Sequence, residues 1–483
     1  MTPPSRSVVL HGHFYQPPRE DPWTEEVPEQ PGAAPFHDWN ERVAHECYRP
    51  VTRARVLAAD GSTAEVVNCL EWMSFDFGPT LLWWLEGHDP ETYAAVLAAD
   101  RAALERTGHG GALAMPFHHP ILPLSDPRDR VTEIRWGVHD FRRRFGREPE
   151  GMWLPETAVD APTLDALAAE GVRFTVVAPH QVDPVPADGR PVRWVTSSGR
   201  EIALFVYDGE LSHGVAFGRL LSDGVGWAEA MSSGDQPLRS VATDGETFGH
   251  HHTFAEMALA KAITRLRDGG AVRLESYASV LAREGATAEA ALVAPTAWSC
   301  AHGVERWRSD CGCRAHPDRE SSQAWRAPLR AALERLAAGL HGVFERDGVP
   351  LFGDPWAARD DYGRVAGAID PAEREAFARE RSSGRTGRGR PGRAFELLEM
   401  ERNALRLFTS CAWFFDDVAG VEARQVLRYA ARALELAGPE GRALRAAFRD
   451  ALLEAPANDP DFESGADVFD DVALQATAPG GAS

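Results

Sequence analysis

Short apolar runs of strand length recur through the first 280 residues, each followed by a stretch in which apolar positions return every three or four residues. That alternation is the mark of β/α units, where a buried strand leads into an amphipathic helix. The runs predict strands at Ser7 to His11, Glu65 to Cys69, Ala112 to Met115, Gly151 to Leu154, Val172 to Val177, Ile202 to Val206 and Ser240 to Thr243. Between them, Ile134, Val138, Phe141 and Phe145 make one helical face, and Gly146 follows where a left-handed stop belongs. A second helix opens on Asp160 as N-cap with Pro162 in its first turn and ends at Gly171. Seven such units predict an α/β fold built as a parallel β/α barrel.

After about Pro295 the strand runs stop. Leu329, Leu333, Leu336, Leu340 and Phe344 form one helical stripe, and Leu397 to Phe415 and Val421 to Leu436 predict further helices. The reading is therefore two domains, a barrel over 1–294 and a mainly helical C-terminal domain over 295–483. Within the second, Arg381 to Arg393 is rich in Gly and Arg, cannot pack a core, and is expected to be a flexible loop.

Composition narrows the partners. The 483 residues carry 51 basic and 72 acidic side chains, a net charge of −21 that repels nucleic acid and anionic membrane surfaces. No stretch approaches the ~18 apolar residues of a membrane span, and the N-terminus leads into only a three-residue apolar run, too short for the core of a signal peptide. A cytoplasmic protein is expected. Six cysteines in so long a chain do not make a disulfide framework.

Polar clusters fall at the C-terminal ends of the predicted strands: His11-Gly-His13 after the first, Pro116-Phe-His-His-Pro120 after the third, Glu156 after the fourth, Asp244-Gly-Glu246 after the last. In a parallel barrel that rim is where loops converge on an active site. A pair of carboxyls facing one cleft is what glycosidic-bond cleavage requires, one to attack or stabilise the sugar cation and one to protonate the leaving oxygen. Nearby like charge and burial raise the pKa of the acid member.

At these segments the chain resembles glycoside hydrolase family 57. His11-Gly-His-Phe-Tyr-Gln-Pro-Pro18 is similar to the family's first motif, with Phe14 and Tyr15 inserted before Gln16; Ala114 to Leu124 is similar to its second. Gly151-Met-Trp-Leu-Pro-Glu156 matches the segment that carries the nucleophile, and Asp244-Gly-Glu-Thr-Phe-Gly-His250 the segment that carries the acid/base. The resemblance implies an incomplete (β/α)7 barrel, activity on α-glucans or oligosaccharides as hydrolase or transglycosylase, and a retaining, metal-independent mechanism without a cofactor. Glu156 then falls in the role of nucleophile and Asp244 of acid/base. His11, His13, His119, Trp153, Glu246, His250 and Trp298 are the candidate sugar-binding residues, although Trp153 is equally readable as core packing. The second half looks like the helical extension of a family subset whose role is undefined.

Two other readings stay open on the residues alone. His11-x-His13, completed by Asp244 and His250-His-His252, has the make-up of an amidohydrolase- or deacetylase-like metal site. The same barrel would also serve as a non-catalytic glucan-binding protein. Further on, Cys300, His302, Cys311, Cys313 and His316 lie close in sequence, with Trp298 and Trp307 beside them. Thiolate and imidazole suit tetrahedral zinc, yet the spacing matches no standard finger, and the favoured reading is a structural or sugar-subsite loop with no metal.

Overall fold

The computed structural model describes residues 6–382 and 392–477. The chain divides into two compact units. The first comprises Met1–Gln16, Glu29–Met115 and Phe141–Ala294; the second comprises Pro17–Pro28, Pro116–Asp140 and Pro295–Ser483. Two short segments from inside the expected barrel thus group with the helical half. Most of the expected Arg/Gly loop, 383–391, lies outside the described residues; its flanks end the helix Pro371–Ser382 and begin the helix Arg393–Arg406.

The first unit is the expected incomplete (β/α)7 barrel. Its strands are β1 (Ser7–Phe14), β2 (Ser74–Phe77), β3 (Ala112–Leu113), β4 (Phe174–Val177), β5 (Glu201–Val206) and β6 (Leu238–Asp244). β6, β1, β2 and β3 pair side by side and parallel, as do β4 and β5. The gap between β3 and β4 is filled by Gly151 and Met152, which bridge Phe174 and Ala114 and so take the fourth of seven positions. Closure fails after β5. The other edge of β5 is occupied by an antiparallel strand, Val192–Val195, and the link onward to β6 is the hydrogen bond from Asp208 N–H to the Ser240 carbonyl (2.8 Å).

Local sequence accounts for much of this wall. All eight residues of β1 are buried, as befits a parallel strand covered on both faces. Gly151 permits the β4 contact, because a Cβ there would lie 2.3 Å from the Phe174 ring. Asp160 caps its helix by accepting from Thr163 N–H (2.8 Å), and Gly146 and Gly171 take left-handed φ of 68° and 85° at the two expected helix ends.

One expected strand is misplaced. Residues Thr63–Val67 form a mostly exposed hairpin with Ala54–Leu57, while the second barrel position belongs to Ser74–Phe77. Asp76 interrupts the apolar run of that strand, and it is buried there because two histidines bond to it.

The second unit is helical. The stripe Leu329, Leu333, Leu336, Leu340, Phe344 lies buried along the helix Arg326–Phe352, which packs on Arg393–Arg406 and Gly441–Leu452. Burial of each such aliphatic side chain contributes about 1.5–3 kcal/mol. Val421–Leu436 completes the layer beside Arg393–Arg406. No helix among the described residues is long and apolar enough to cross a membrane.

Candidate active site

The register of the barrel sheet builds the site. His13 stands opposite Asp244 on β6 and opposite Asp76 on β2, so one row across three strands reads acid, imidazole, acid. His11, two residues back, shares the same face by the period-two rule of a strand. Asp76 binds both rings: His11 Nε2–H donates to Oδ1 (3.1 Å) and His13 Nδ1–H to Oδ2 (2.7 Å). Trp153 is fully buried and lies stacked on both, with ring centroids 4.6 Å from His11 and 5.3 Å from His13. Its indole is therefore a wall that fixes the two imidazoles.

Burial alone disfavours charge on either histidine, and the two resolve differently. His11 stays below its ordinary value because burial outweighs its bond to Asp76, so it is the neutral member, donating from Nε2. For His13, burial is outweighed by Asp76, Asp244 and Glu246, and the pKa rises to about 9. Asp76 is held below the usual carboxylate range: its burial is overcome by the charge on His13 and by the bonds from both rings.

Asp244 behaves oppositely. Its side chain reaches solvent, yet the protein around it desolvates the carboxyl. Desolvation there, only partly offset by His13 and reinforced by Glu246, Glu156 and Asp76, lifts its pKa to about 7. The following Gly245 admits Phe14 so closely that a Cβ would fall 2.2 Å from its ring. Glu246 is buried and accepts from Tyr48 Oη–H (2.5 Å) and Tyr15 N–H (3.3 Å) on one carboxylate oxygen, and its pKa is raised by burial. Gln16 in turn donates to Tyr48 Oη (3.3 Å).

Glu156 is half-buried on a kinked turn, with φ of 57° at Glu156 and 50° at Thr157, a conformation non-glycine residues rarely adopt. Gln181 latches that turn. Its Oε1 accepts from Thr157 Oγ1–H (2.9 Å) and Ala178 N–H (2.7 Å), and its Nε2–H donates to the Thr157 carbonyl (2.9 Å). The charge of Glu156 is felt at Asp244, so the two acids share one electrostatic neighbourhood.

The remaining candidates have other recorded partners. His250 bonds Glu46 and meets Trp39 edge-on, while His252 Nε2–H donates to the Ala216 carbonyl (2.9 Å). The histidine run that a metal site with His11 and His13 calls for is thus tied to other partners. His119 and Trp298 belong to the helical unit, where His119 is buried with Nδ1 2.6 Å from Ser410 Oγ. Asp76, Gln181 and Tyr48 are the participants that sequence reading passes over. The one signal for Asp76 is an acid set inside the otherwise apolar Ser-Phe-Asp-Phe quartet.

The glycosyl hydrolase family 57 model matches residues 9–291, more than half of the chain. The chain belongs to glycosyl hydrolase family 57. A second model, a domain of unknown function (DUF3536), matches residues 322–479. Among relatives of this family 57 chain, Alpha-amylase 1 of Dictyoglomus thermophilum is 31% identical over 102 residues, 21% of this chain and 14% of that protein. The 4-alpha-glucanotransferase of Thermococcus litoralis is 25% identical over 177 residues, 36% of this chain and 26% of that protein. The matches therefore span less than a third of these curated relatives. Among solved structures, an exo-type maltose-forming amylase from Pyrococcus sp. ST04 aligns with a TM-score of 0.73 at 15% identity, over 94% of this chain and 84% of that one. A branching enzyme of the same family from Pyrococcus horikoshii aligns at 0.57 and 14% identity, over 98% and 94%. At such identities the likeness speaks for the fold.

Proposed function

We propose that this family 57 chain is a retaining glycoside hydrolase or transglycosylase acting on α-glucans, with Glu156 as nucleophile and Asp244 as acid/base. The observation that carries the reading is Asp244 itself: an accessible carboxyl, lifted to about 7 by burial and neighbouring acids, at the end of a barrel strand in register with a cationic imidazole. A carboxyl poised there is part-protonated near neutrality and can protonate a leaving glycosidic oxygen. Glu156 attacks the anomeric carbon as that C–O bond breaks, forming a glycosyl-enzyme ester. Asp244, now ionised, takes a proton from water or an acceptor sugar, whose oxygen displaces Glu156 and restores both groups. The names of the relatives, amylases and glucanotransferases, support an α-glucan substrate.

Maltooligosaccharides incubated with the full chain test this directly. Shorter products alone mean hydrolysis, and a ladder of longer ones means transfer. A fluorinated glucosyl fluoride should label the peptide containing Glu156, as read by mass spectrometry, and Glu156→Gln should abolish both turnover and label. Binding of oligosaccharide without turnover across α-linkages by the wild type would instead describe a glucan-binding protein.

A further inference from the structure

Segment 299–313 of the helical unit contains little regular structure beyond the short turn Glu305–Trp307, yet it gathers three thiols and an imidazole at one point. Cys300, His302, Cys311 and Cys313 each offer one ligand atom, and all four atoms lie within 4.8 Å of one another. Cys300 Sγ is 4.0 Å from Cys311 Sγ and 3.9 Å from Cys313 Sγ, and Cys313 Sγ is 3.7 Å from His302 Nδ1. These separations are nearly double the ~2.05 Å of a disulfide. They fit the edges of a coordination tetrahedron: metal bonds of about 2.3 Å to sulfur and about 2.0 Å to nitrogen place sulfurs about 3.8 Å from each other and about 3.5 Å from the nitrogen.

We propose that Cys300, His302, Cys311 and Cys313 bind one zinc ion that fixes this segment of the helical unit. Three thiolates and a neutral imidazole select zinc among common divalent ions, and four protein ligands close the site against water and substrate, which makes it structural. His316, also close in sequence, is not in the set; its backbone N–H is held by Asp416 (2.9 Å).

The surroundings fit the role. Gly312 takes φ of 82° between Cys311 and Cys313, a conformation that folds the chain back within three residues and that a side chain would resist. Two buried arginines hold the ligand loops by their carbonyls: Arg306 donates to Ser299 O (3.2 Å) and Arg326 to Cys313 O (2.8 Å). A zinc ion with three thiolates carries one net negative charge, and these guanidiniums lie beside it. Second contacts of this kind orient ligands and tune the metal.

The test uses the full chain purified from zinc-supplemented cells, with metal measured by mass spectrometry and then exchanged for cobalt. The expected result is about one zinc per chain, together with the intense visible bands and thiolate-to-cobalt charge transfer of a tetrahedral sulfur-rich site. Cys311→Ser/Cys313→Ser should lose the metal. His302 is exposed, so His302→Ala should keep the circular dichroism of the wild type while shifting the cobalt bands and speeding zinc release. The proposal is overturned if the wild type holds no stoichiometric zinc and gives no thiolate–cobalt band, if zinc persists in the double cysteine variant, or if an iron chromophore is found instead.

Discussion

Asp244 stands in register with His13 on the neighbouring strand, and the same imidazole faces Asp76 on its other side. The two acids titrate in opposite directions around one cation. Asp76 receives hydrogen bonds from two rings and is held ionised, whereas Asp244 is desolvated beside other carboxyls and is lifted to about 7. A group that must give a proton near neutrality and then take one back needs the second environment. It follows that kcat/KM for a maltooligosaccharide should fall as the pH rises through about 7, because the acid form of Asp244 is lost there. Asp244→Asn should lower kcat by about 10²–10⁴ and remove that alkaline limb. A limb that persists in the variant would assign it to another group.

His13 owes its charge to Asp76 first among its acidic neighbours. Asp76→Asn should therefore bring the His13 titration, followed by the imidazole proton signals in NMR, down from about 9. The same pairing sets a pH dependence of stability. The folded value lies above the ordinary 6.5, so the stabilisation is fully present below about 6.5 and is lost as the pH rises through about 9. The midpoint of thermal unfolding should decline over that interval in the wild type, and more steeply than in His13→Asn.

The turn that presents Glu156 is strained and needs its latch. Gln181→Ala removes three hydrogen bonds and leaves the buried Thr157 hydroxyl and carbonyl without those partners. At about 0.5–1.5 kcal/mol per bond, a loss of about 2–4 kcal/mol in urea unfolding is expected. Because Gln181 positions rather than reacts, kcat should fall while the pH profile set by Asp244 keeps its shape. A shifted profile would show that Gln181 acts on the acid as well.

Much of this was legible in the residues, and the exceptions share one cause. Barrel strands with unbroken apolar runs, such as Val172 to Val177 and Ile202 to Val206, show their period locally. The second strand does not, because Asp76 reads as polar until two histidines from residues 11 and 13 are seen to bind it. The candidate acids Glu156 and Asp244 are visible as strand-end motifs. Gln181 and Tyr48 are not, since their partners Thr157 and Glu246 lie 24 and 198 residues away and nothing local marks the contact. His119 illustrates the converse: it follows the third barrel strand in sequence yet packs with Ser410 in the helical unit.

The helical unit carries its own buried ion network. Arg359, fully buried, donates from Nη1 to Asp129 (2.7 Å) and Glu401 (2.8 Å) and from Nη2 to Thr132 (2.9 Å), while His341 spans the same two acids. Taking the cation away leaves two buried carboxylates with only His341 between them. Breaking a buried pair from one side costs about 3–5 kcal/mol, so Arg359→Met should lower the urea midpoint of the full chain accordingly. Acid should narrow the difference. Burial works against the charge of Asp129, but the bonds and charges of His341 and Arg359 hold its pKa to about 2, so its contribution is present above the ordinary 3.8 and is lost as the pH falls through about 2. Wild type and Arg359→Met should therefore converge in unfolding free energy between about pH 4 and pH 2. A gap that stays constant over that range would mean that packing of the Arg359 side chain against Trp356, 4.6 Å from the ring centroid, dominates over its charge.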